Sequence, residues 1–341
     1  MMETTLLETT WFLILGIALA MYAILDGFDL GSGMLYIFAS NEDERRDIRN
    51  AIGPVWDGNE VWLIAGGGGM FAAFPLAYAT IFSSMYFAVI LLIWSLILRA
   101  VSLEFRGQFN HTLWHRIWDG AFILGSFLPA LLLGVALGNI LEGLNIDNTQ
   151  FYRGTFLDLL NPFALIIGLF VVFLFVTHGA SYLIARTEGH LQETMKSAFK
   201  TSWILYLVLF LIANIGMISA QHQLMSNFND NLVLYIIPVL SLLAILAIWY
   251  LNKLEKYFFS FLASTGAILL LMLSVGIAIF PNIVPASNSA FSVSLSQAAA
   301  SETALTAMTV IALIGLPLVL IYTFLIYRIF VFKKVSKVAG Y

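Results

Sequence analysis

The sequence contains no cysteine and few charged side chains. Without cysteine there is no disulfide framework, thiolate metal site, iron–sulfur cluster or cysteine nucleophile. Only 11% of the 341 residues are charged and 60% are hydrophobic, whereas globular domains carry about a quarter charged residues. A net charge of −4, with 16 basic residues, gives no electrostatic footprint for nucleic acid. A soluble core could not bury so much apolar surface, so the composition predicts an integral membrane protein.

Long apolar runs fill almost the whole chain. A helix needs roughly 20 apolar residues to cross the hydrocarbon layer of a bilayer. Nine stretches meet this requirement, and most of the loops between them are short. The sequence therefore predicts an all-α polytopic membrane protein with a single integral membrane domain over residues 1–341. The predicted transmembrane helices are 10–38, 53–73, 78–98, 118–141, 161–185, 202–221, 232–251, 257–280 and 306–332.

The basic residues indicate how these helices are oriented. With nine spans, every second loop lies on the same side as the C-terminus, and all of the 16 basic residues except Arg153 fall on that side. Because Lys and Arg concentrate in cytoplasmic loops, the N-terminus is predicted to be periplasmic and the C-terminus cytoplasmic. Adding or removing one span would destroy the segregation, which therefore also supports the count. The residues on the predicted cytoplasmic side are Arg45, Arg46, Arg49, Arg99, Arg106, Arg116, Arg186, Lys196, Lys200, Lys253, Lys256, Arg328, Lys333, Lys334 and Lys337.

Several ionisable residues lie within these spans or at their ends, where burying one costs about 2.5–3.5 kcal/mol on insertion scales. Asp26 and Asp29 are three residues apart late in the first span, so they share one helix face. The predicted topology places them, and the ionisable residues of other spans, in the cytoplasmic half of the membrane. The pattern predicts a route for proton or cation uptake. Its candidate residues are Asp26, Asp29, Asp57, Glu60, Arg99 and Asp119.

A structural interpretation of the same residues stays open. Three carboxylates stand close to predicted helix N-termini, where they could act as caps or dipole partners. These three are Asp57, Glu60 and Asp119. Asp26 and Asp29 lie late in their helix and could instead pair with Arg99 to hold the bundle together.

No haem or metal site is evident from the residues. Only His178, of five histidines, lies inside a span, and a single buried histidine is more often hydrogen-bonded to a neighbouring helix than bound to metal. The run Gly66–Gly69 lacks the Lys-Ser/Thr of a phosphate-binding loop and is predicted to let helices approach closely. Trp62, one turn earlier, is either a packing aromatic or a lining residue of a small-molecule path.

Five motifs together resemble one family. They are LDGFDLGSGML in the first span, GPVWDGNEVWL in the second, LRAVSLEFR at the end of the third, WDGAFILGSFLP in the fourth and THGASYL in the fifth. The sequence is similar in these motifs to subunit II of the cytochrome bd quinol oxidases, and the similarity runs over essentially the whole chain. The resemblance implies nine helices arranged as two four-helix bundles plus a peripheral helix.

The resemblance also implies a function. The family's heterodimer lies in the bacterial inner membrane, oxidises quinol and reduces O2 to water electrogenically, with protons from the cytoplasm. Haem b and haem d are expected in subunit I, so this chain is expected to bind no haem or metal alone and to carry no catalytic residue. It is expected to support subunit I among membrane lipids and to contribute routes for protons and O2. Some members also hold a structural quinone, and a small accessory subunit is left open.

Individual positions match the family's pattern with one departure. Asp26, Asp29, Asp57 and Arg99 match polar positions that the family associates with proton delivery, and Trp62 matches the tryptophan linked to the gas route. In some members a histidine precedes the Trp-Asp of the second motif. The chain instead has Val55, which together with Glu60 is similar to the short, cyanide-insensitive branch.

Two alternatives come from other functional classes. A cation-coupled secondary transporter could use Asp26 and Asp29 as its ion site near the middle of the membrane. Such transporters usually show internal repeats with paired broken helices, and the sequence has no convincing pair. The other alternative is a purely structural membrane scaffold.

Overall fold

The apolar runs form α-helices in the computed structural model, which describes residues 4–220 and 222–330. A helix satisfies its own backbone polar groups, as a hydrocarbon environment requires. The α-helices are α1 (Leu6–Leu35), α2 (Glu42–Ile52), α3 (Trp56–Ala73), α4 (Pro75–Ser84), α5 (Tyr86–Phe105), α6 (Thr112–Glu142), α7 (Pro162–Arg186), α8 (Gly189–Ala220), α9 (Ser226–Asp230), α10 (Ile236–Lys253), α11 (Tyr257–Ile279), α12 (Leu295–Ala298) and α13 (Glu302–Phe330). Short 3-10 turns lie at Tyr36–Phe38, Arg106–Gln108, Leu157–Leu160, His222–Met225, Leu232–Tyr235 and Ser289–Phe291.

Eight helices of the described chain are long and apolar enough to cross a membrane. They correspond to eight of the nine predicted spans. The predicted span 53–73 differs: it forms the 18-residue α3, whose polar first turns and glycines make it less hydrophobic than the others. By length and composition the count is therefore eight. α3 nevertheless runs antiparallel to α1 through the same layer, because Asn59 lies against Asp29 and Gly69 lies against Leu15.

Helix boundaries differ from the predictions at three places. The predicted span 78–98 is interrupted, because the backbone leaves the helical region at Met85, between α4 and α5. The predicted span 202–221 begins earlier, at Gly189, and the helical segment α2 forms where a loop was expected. Residue 221 and residues 331–332, at the ends of two predicted spans, lie outside the described residues.

The long helices pack as two groups of four. Helices α1, α3, α5 and α6 form one bundle, and α7, α8, α10 and α11 form the other. Contacts of α1 and α6 with α7 join the bundles, while α13 lies at the periphery beside α1. The joint is tight: a Cβ atom at Gly31 would lie 1.9 Å from the Phe175 carbonyl oxygen, and one at Gly179 would lie 2.6 Å from the Gly31 backbone. Two bundles and a peripheral helix are the arrangement that the resemblance implied.

Arginines gather where α1 and α5 end and α3 begins, and we call this the basic end. Arg45, Arg99, Arg106 and Arg186 lie there, whereas Arg153 lies at the opposite end in an exposed ion pair with Asp147. Three further lysines that are predicted on the cytoplasmic side lie outside the described residues. These are Lys333, Lys334 and Lys337.

The opposite end is closed by the segment predicted as a loop over 281–305. Within it, β1 (Asn282–Val284) and β2 (Val293–Ser294) pair antiparallel, and α12 follows directly. Backbone hydrogen bonds tie the segment to the bundles: Ala300 N donates to Ala73 O at 2.9 Å, and Leu144 N donates to Pro285 O at 2.9 Å. The segment therefore fixes the ends of α3 and α6 relative to each other.

Candidate functional site

A buried group of charges lies between α1, α3 and α5 near the basic end. Arg99, with only 1% of its side chain exposed, donates from Nη2 to Asp26 Oδ1 at 2.6 Å and from Nε to Glu60 Oε1 at 3.1 Å. Asp26 is fully buried, whereas 21% of the Glu60 side chain is exposed. Breaking a buried pair leaves an uncompensated charge, which is strongly destabilising. The structure thus brings three of the predicted site residues into direct contact, and we call them the Arg99 cluster.

Asp29 lies beside this cluster but is held differently. It is fully buried, and its Oδ2 accepts a hydrogen bond of 2.7 Å from Asn59 Nδ2. The same Asn59 nitrogen donates to Leu25 O at 3.1 Å, and Asn59 Oδ1 accepts from Tyr327 Oη at 2.8 Å. Sequence reasoning missed Asn59 and Tyr327. Asn59 could have been found from its place between Asp57 and Glu60 in an apolar segment, but nothing in the sequence signals Tyr327.

Asp57 is exposed at the second residue of α3, one turn before Glu60. It makes no hydrogen bond or ion pair with the part of the chain that the structure describes. Its place in the first turn suits a favourable interaction with the helix dipole, as the structural interpretation expected. The exposed Asp57 carboxylate can also contact solvent or a partner that covers this face of α3.

Asp119 belongs to a second network at the rim of the basic end, not to the Arg99 cluster. Its carboxylate accepts from Tyr36 Oη at 2.9 Å, pairs with Arg45 Nη1 at 2.8 Å and is contacted by the Arg106 guanidinium. Because α6 begins at Thr112, Asp119 does not cap this helix, and the structure excludes the capping alternative that the sequence left open for it. We call Asp119, Arg106 and their partner Glu42 the rim clamp.

Glu42 extends the rim clamp onto α2. Arg106 donates to its two carboxylate oxygens at 2.7 and 2.8 Å. These hydrogen bonds lower the pKa of Glu42 to about 2. Glu44, two residues later, accepts from His190 at 2.7 Å and so ties α2 to α8 as well. The sequence does not single out these residues, because they lie in a segment that it predicts to be a polar loop.

Trp62 and two of the glycines after it, Gly66 and Gly69, face the interior of the first bundle. Trp62 is buried in the main apolar core, while its neighbour Leu63 lines a large cavity. A Cβ atom at Gly66 or Gly69 would come within 2.9 Å of leucine side chains of α1. The prediction of close helix packing, made for the whole glycine run, is confirmed at Gly66 and Gly69 but not at Gly68, where a Cβ atom would meet nothing within 4 Å. Trp62 has the environment of a packing aromatic.

A cavity of about 520 Å³ lies between the two bundles. Apolar side chains from α1, α6, α7, α8, α10 and α11 line most of it, and a few polar groups line the rest. Among them are Tyr22, one turn before Asp26 on α1, and Asn214 on α8. A mostly apolar cavity of this size with few polar groups is typical of a small-molecule site.

The one histidine inside a predicted span, His178, is not free to bind a haem iron. His178 is fully buried, its Nδ1 lies 2.6 Å from Ser264 Oγ and its Nε2 lies 3.0 Å from Ile24 O. Its ring also stacks on Phe261 with centroids 4.9 Å apart. Both ring nitrogens are therefore engaged, which confirms the predicted hydrogen-bonded histidine. Within the described residues, no group of three or more His, Asp or Glu side chains could hold a metal ion.

Comparisons with known proteins agree on one family. The family described as cytochrome bd terminal oxidase subunit II matches residues 7–330. The chain is 35% identical to cytochrome bd-I ubiquinol oxidase subunit 2 of Escherichia coli K12, over 95% of this chain and 94% of that protein. It is 31% identical to cytochrome bd ubiquinol oxidase subunit 2 of Bacillus subtilis, over 97% of both. A solved chain of the bd oxidase from Geobacillus thermodenitrificans has the same fold, with a TM-score of 0.79 over 97% of this chain and all of that chain, at 19% identity.

Proposed function

Because the chain belongs to the cytochrome bd terminal oxidase subunit II family, we propose that it is the second subunit of a complex that oxidises quinol and reduces O2 to water. It is a multi-pass membrane protein of a haem-containing complex, and its partner is a subunit I. We assign the complex to the bacterial cytoplasmic membrane, and its turnover is electrogenic. The transporter alternative has no support from these relatives.

We assign haem b and haem d to subunit I. The haems supply the electron transfer and O2 reduction of the complex. The support from this chain is that both nitrogens of His178 are already engaged. What remains for the chain's own residues is to support subunit I and to deliver protons and O2 to it.

We propose that the Arg99 cluster takes up protons for the reaction. The observation that carries this is a fully buried Asp26 and a partly exposed Glu60 sharing one guanidinium. Two carboxylates with one cation cannot both stay ionised cheaply in a low-dielectric layer, so the cluster gains a proton readily. Glu60 opens the cluster to the surface, and Asp57 lies one turn nearer to the basic end. Asp57 and Glu60 lead inward to the buried Asp26, and Asp29 lies beside Asp26, one turn nearer to the basic end on α1.

The basic end is proposed to face the cytoplasm. The support is the gathering of arginines there, since Lys and Arg are enriched in cytoplasmic loops. Protons then enter from the cytoplasm, past the rim clamp that holds Asp119.

Subunit I is proposed to cover the face formed by α3 and α5. Large apolar side chains are exposed there, including Ile64 and Trp94, as an interface or a lipid contact requires. Asp57 is exposed on α3, and Glu60 is partly exposed there. Carboxylates exposed at membrane depth favour a protein partner over lipid hydrocarbon. Lipid is proposed to cover the outer faces of α10 and α13, and a small accessory subunit would add to the assembly.

The cavity between the bundles is proposed to hold a structural quinone. Its volume of about 520 Å³ and its apolar lining suit a quinone ring with part of an isoprenoid tail. The hydroxyl of Tyr22 and the amide of Asn214 are polar groups that a quinone oxygen could use. The proposed O2 route runs along the inner face of α3 past Trp62, whose neighbour Leu63 lines the same cavity.

Glu60→Gln tests the proton route, with Glu104→Gln as the matched control. Glutamine keeps the shape of Glu60 and can still contact Arg99, but it cannot carry a proton. Glu104 is an exposed carboxylate on α5 outside the Arg99 cluster. In complexes with full haem spectra, we expect the O2 consumption of Glu60→Gln at saturating quinol to fall roughly tenfold or more. Glu104→Gln should match the wild type. Unchanged turnover in Glu60→Gln would return the cluster to a structural role.

A further inference from the structure

The peripheral helix α13 is attached to the bundles mainly near its two ends. At the opposite end, the Trp11 indole donates to Thr309 Oγ1 at 3.0 Å. At the basic end, Arg186 donates to the Phe330 carbonyl at 2.6 Å, and Tyr327 reaches into the first bundle. Most side chains between these points are exposed. Tyr327 is thus a specific contact of an otherwise loosely packed helix with the site.

Tyr327 is placed by both its ring and its hydroxyl. The ring lies edge-on to Phe28, with centroids 6.3 Å apart and an interplanar angle of 81°. Phe28 lies between Asp26 and Asp29 on α1, so the contact brings Tyr327 beside the buried carboxylates. The hydroxyl then bonds to Asn59 Oδ1 at 2.8 Å.

The hydrogen bonds leave Asn59 one orientation. The carbonyl of Leu25 can only accept, so the amide nitrogen of Asn59 must face it, at 3.1 Å. The amide oxygen then faces Tyr327, whose hydroxyl donates to it. The reversed amide would place its oxygen against the Leu25 carbonyl. The Leu25 carbonyl therefore sets the orientation of Asn59, with its nitrogen towards Asp29, and the Tyr327 hydroxyl stabilises that orientation by donating to the amide oxygen.

This orientation makes the two oxygens of Asp29 unequal. Oδ2 accepts from the Asn59 nitrogen at 2.7 Å, so a proton on Oδ2 would meet another donor. Oδ1 is buried and has no hydrogen-bond partner among the described residues. A proton that reaches Asp29 is consequently directed to Oδ1.

We propose that Tyr327, acting through Asn59, is a positioning residue for proton uptake, which fixes the Asp29 carboxyl so that Oδ1 takes up and releases the proton. Tyr327 and Asn59 exchange no proton themselves. The peripheral helix α13 then contributes to the proton route through Tyr327, in addition to crossing the membrane. This inference rests on the proposed function of the neighbouring Arg99 cluster.

Tyr327→Phe tests the inference, and Tyr322→Phe is its matched control. Phenylalanine keeps the ring against Phe28 and removes only the hydroxyl. Tyr322 lies on the same helix and is 64% exposed. In assembled complexes with full haem spectra, we expect Tyr327→Phe to lower kcat about 2- to 10-fold, as the loss of one hydrogen bond allows, with the KM for quinol unchanged. Tyr322→Phe should behave as the wild type.

Infrared difference spectroscopy separates positioning from general support. The carboxyl stretch of protonated Asp29 is the band that disappears in Asp29→Asn. We expect it to shift in Tyr327→Phe and to stay in place in Tyr322→Phe. An unmoved Asp29 band in Tyr327→Phe, or a shifted band with wild-type kcat, overturns the inference about Tyr327. If turnover is slow in Glu60→Gln at the same time, the proposed proton route still stands. Wild-type turnover in Glu60→Gln overturns the proton route itself, and with it the role of Tyr327 in uptake.

Discussion

The role of a polar residue in the membrane interior depends on the groups that it contacts. His178 illustrates this, because an imidazole in an apolar span resembles a haem ligand until its neighbours are known. Ser264 on α11 and the Ile24 carbonyl on α1 occupy both ring nitrogens. The neutral ring can donate from Nε2 and accept at Nδ1, so it joins three helices without a charge.

His178→Ala should therefore weaken the fold and leave the haems in place. Loss of two buried hydrogen bonds and a stacked ring is expected to lower stability by about 1–3 kcal/mol, seen as a lower thermal midpoint of the complex. His111→Ala, at an exposed histidine before α6, is the control and should leave the midpoint unchanged. Disappearance of one haem spectrum from an assembled His178→Ala complex would show that the histidine is a ligand.

The predictable part of the site is the charged part. Asp26, Asp29 and Arg99 could be identified from the sequence because a charge in an apolar span is costly and needs a reason. Asn59 and Tyr327 are neutral, so the cost of a buried charge does not reveal them; Asn59 has only its place between Asp57 and Glu60 as a signal, and Tyr327 follows it by 268 positions along the chain. Only packing of α13 against α1 and α3 brings them together.

At the scale of elements, α2 holds the rim of the basic end. It begins after Asn41, whose side chain accepts from Glu44 N at 2.9 Å, and it has acidic residues in its first turn and Arg49 in its last. These features follow the ordinary rules for helix ends. A search for apolar runs overlooks such a polar helix, although the Asn-x-x-Glu spacing signals its start. The same search shortens α8, whose first turns are polar.

The rim clamp should depend on pH in a direction that follows from Glu42. Its pKa is lowered from the usual value to about 2, so its stabilising contribution is present at neutral pH and is lost as the pH falls towards 2. Between pH 7 and pH 5, hydrogen exchange of α2 should therefore not respond to Glu42. Glu42→Gln should speed this exchange at neutral pH by a few-fold, because the bidentate contact with Arg106 is lost.

Asp43→Asn is the control for this prediction. Among the described residues Asp43 pairs only with Arg46, on the exposed side of α2, and exposed pairs contribute little. Hydrogen exchange of α2 in Asp43→Asn should match that of the wild type. Equal exchange in Glu42→Gln and the wild type would mean that the rim clamp does not hold α2.

At the scale of the whole molecule, two bundles share a joint between α1 and α7. Apolar runs and basic loops predicted most of the spans, but they carry no information on which helices are neighbours. The glycine contacts that bring α1 and α7 together, at Gly31 and Gly179, depend on both backbones at once. The two-bundle arrangement was therefore expected only from the resemblance to the family.

Proton entry at the basic end, through Asp26 and the cluster around Arg99, is the proposed source of the protons for O2 reduction. It is tested most directly by proton uptake in inverted membrane vesicles, whose outer solution meets the basic end under the proposed orientation. A pulse of O2 with quinol present should make that solution alkaline. Asp26→Asn, with complete haem spectra, should slow this uptake roughly tenfold or more. Asp230→Asn, an exposed carboxylate at the opposite end, should not. Wild-type uptake in Asp26→Asn, or uptake from the vesicle lumen by the wild type, would contradict the claim.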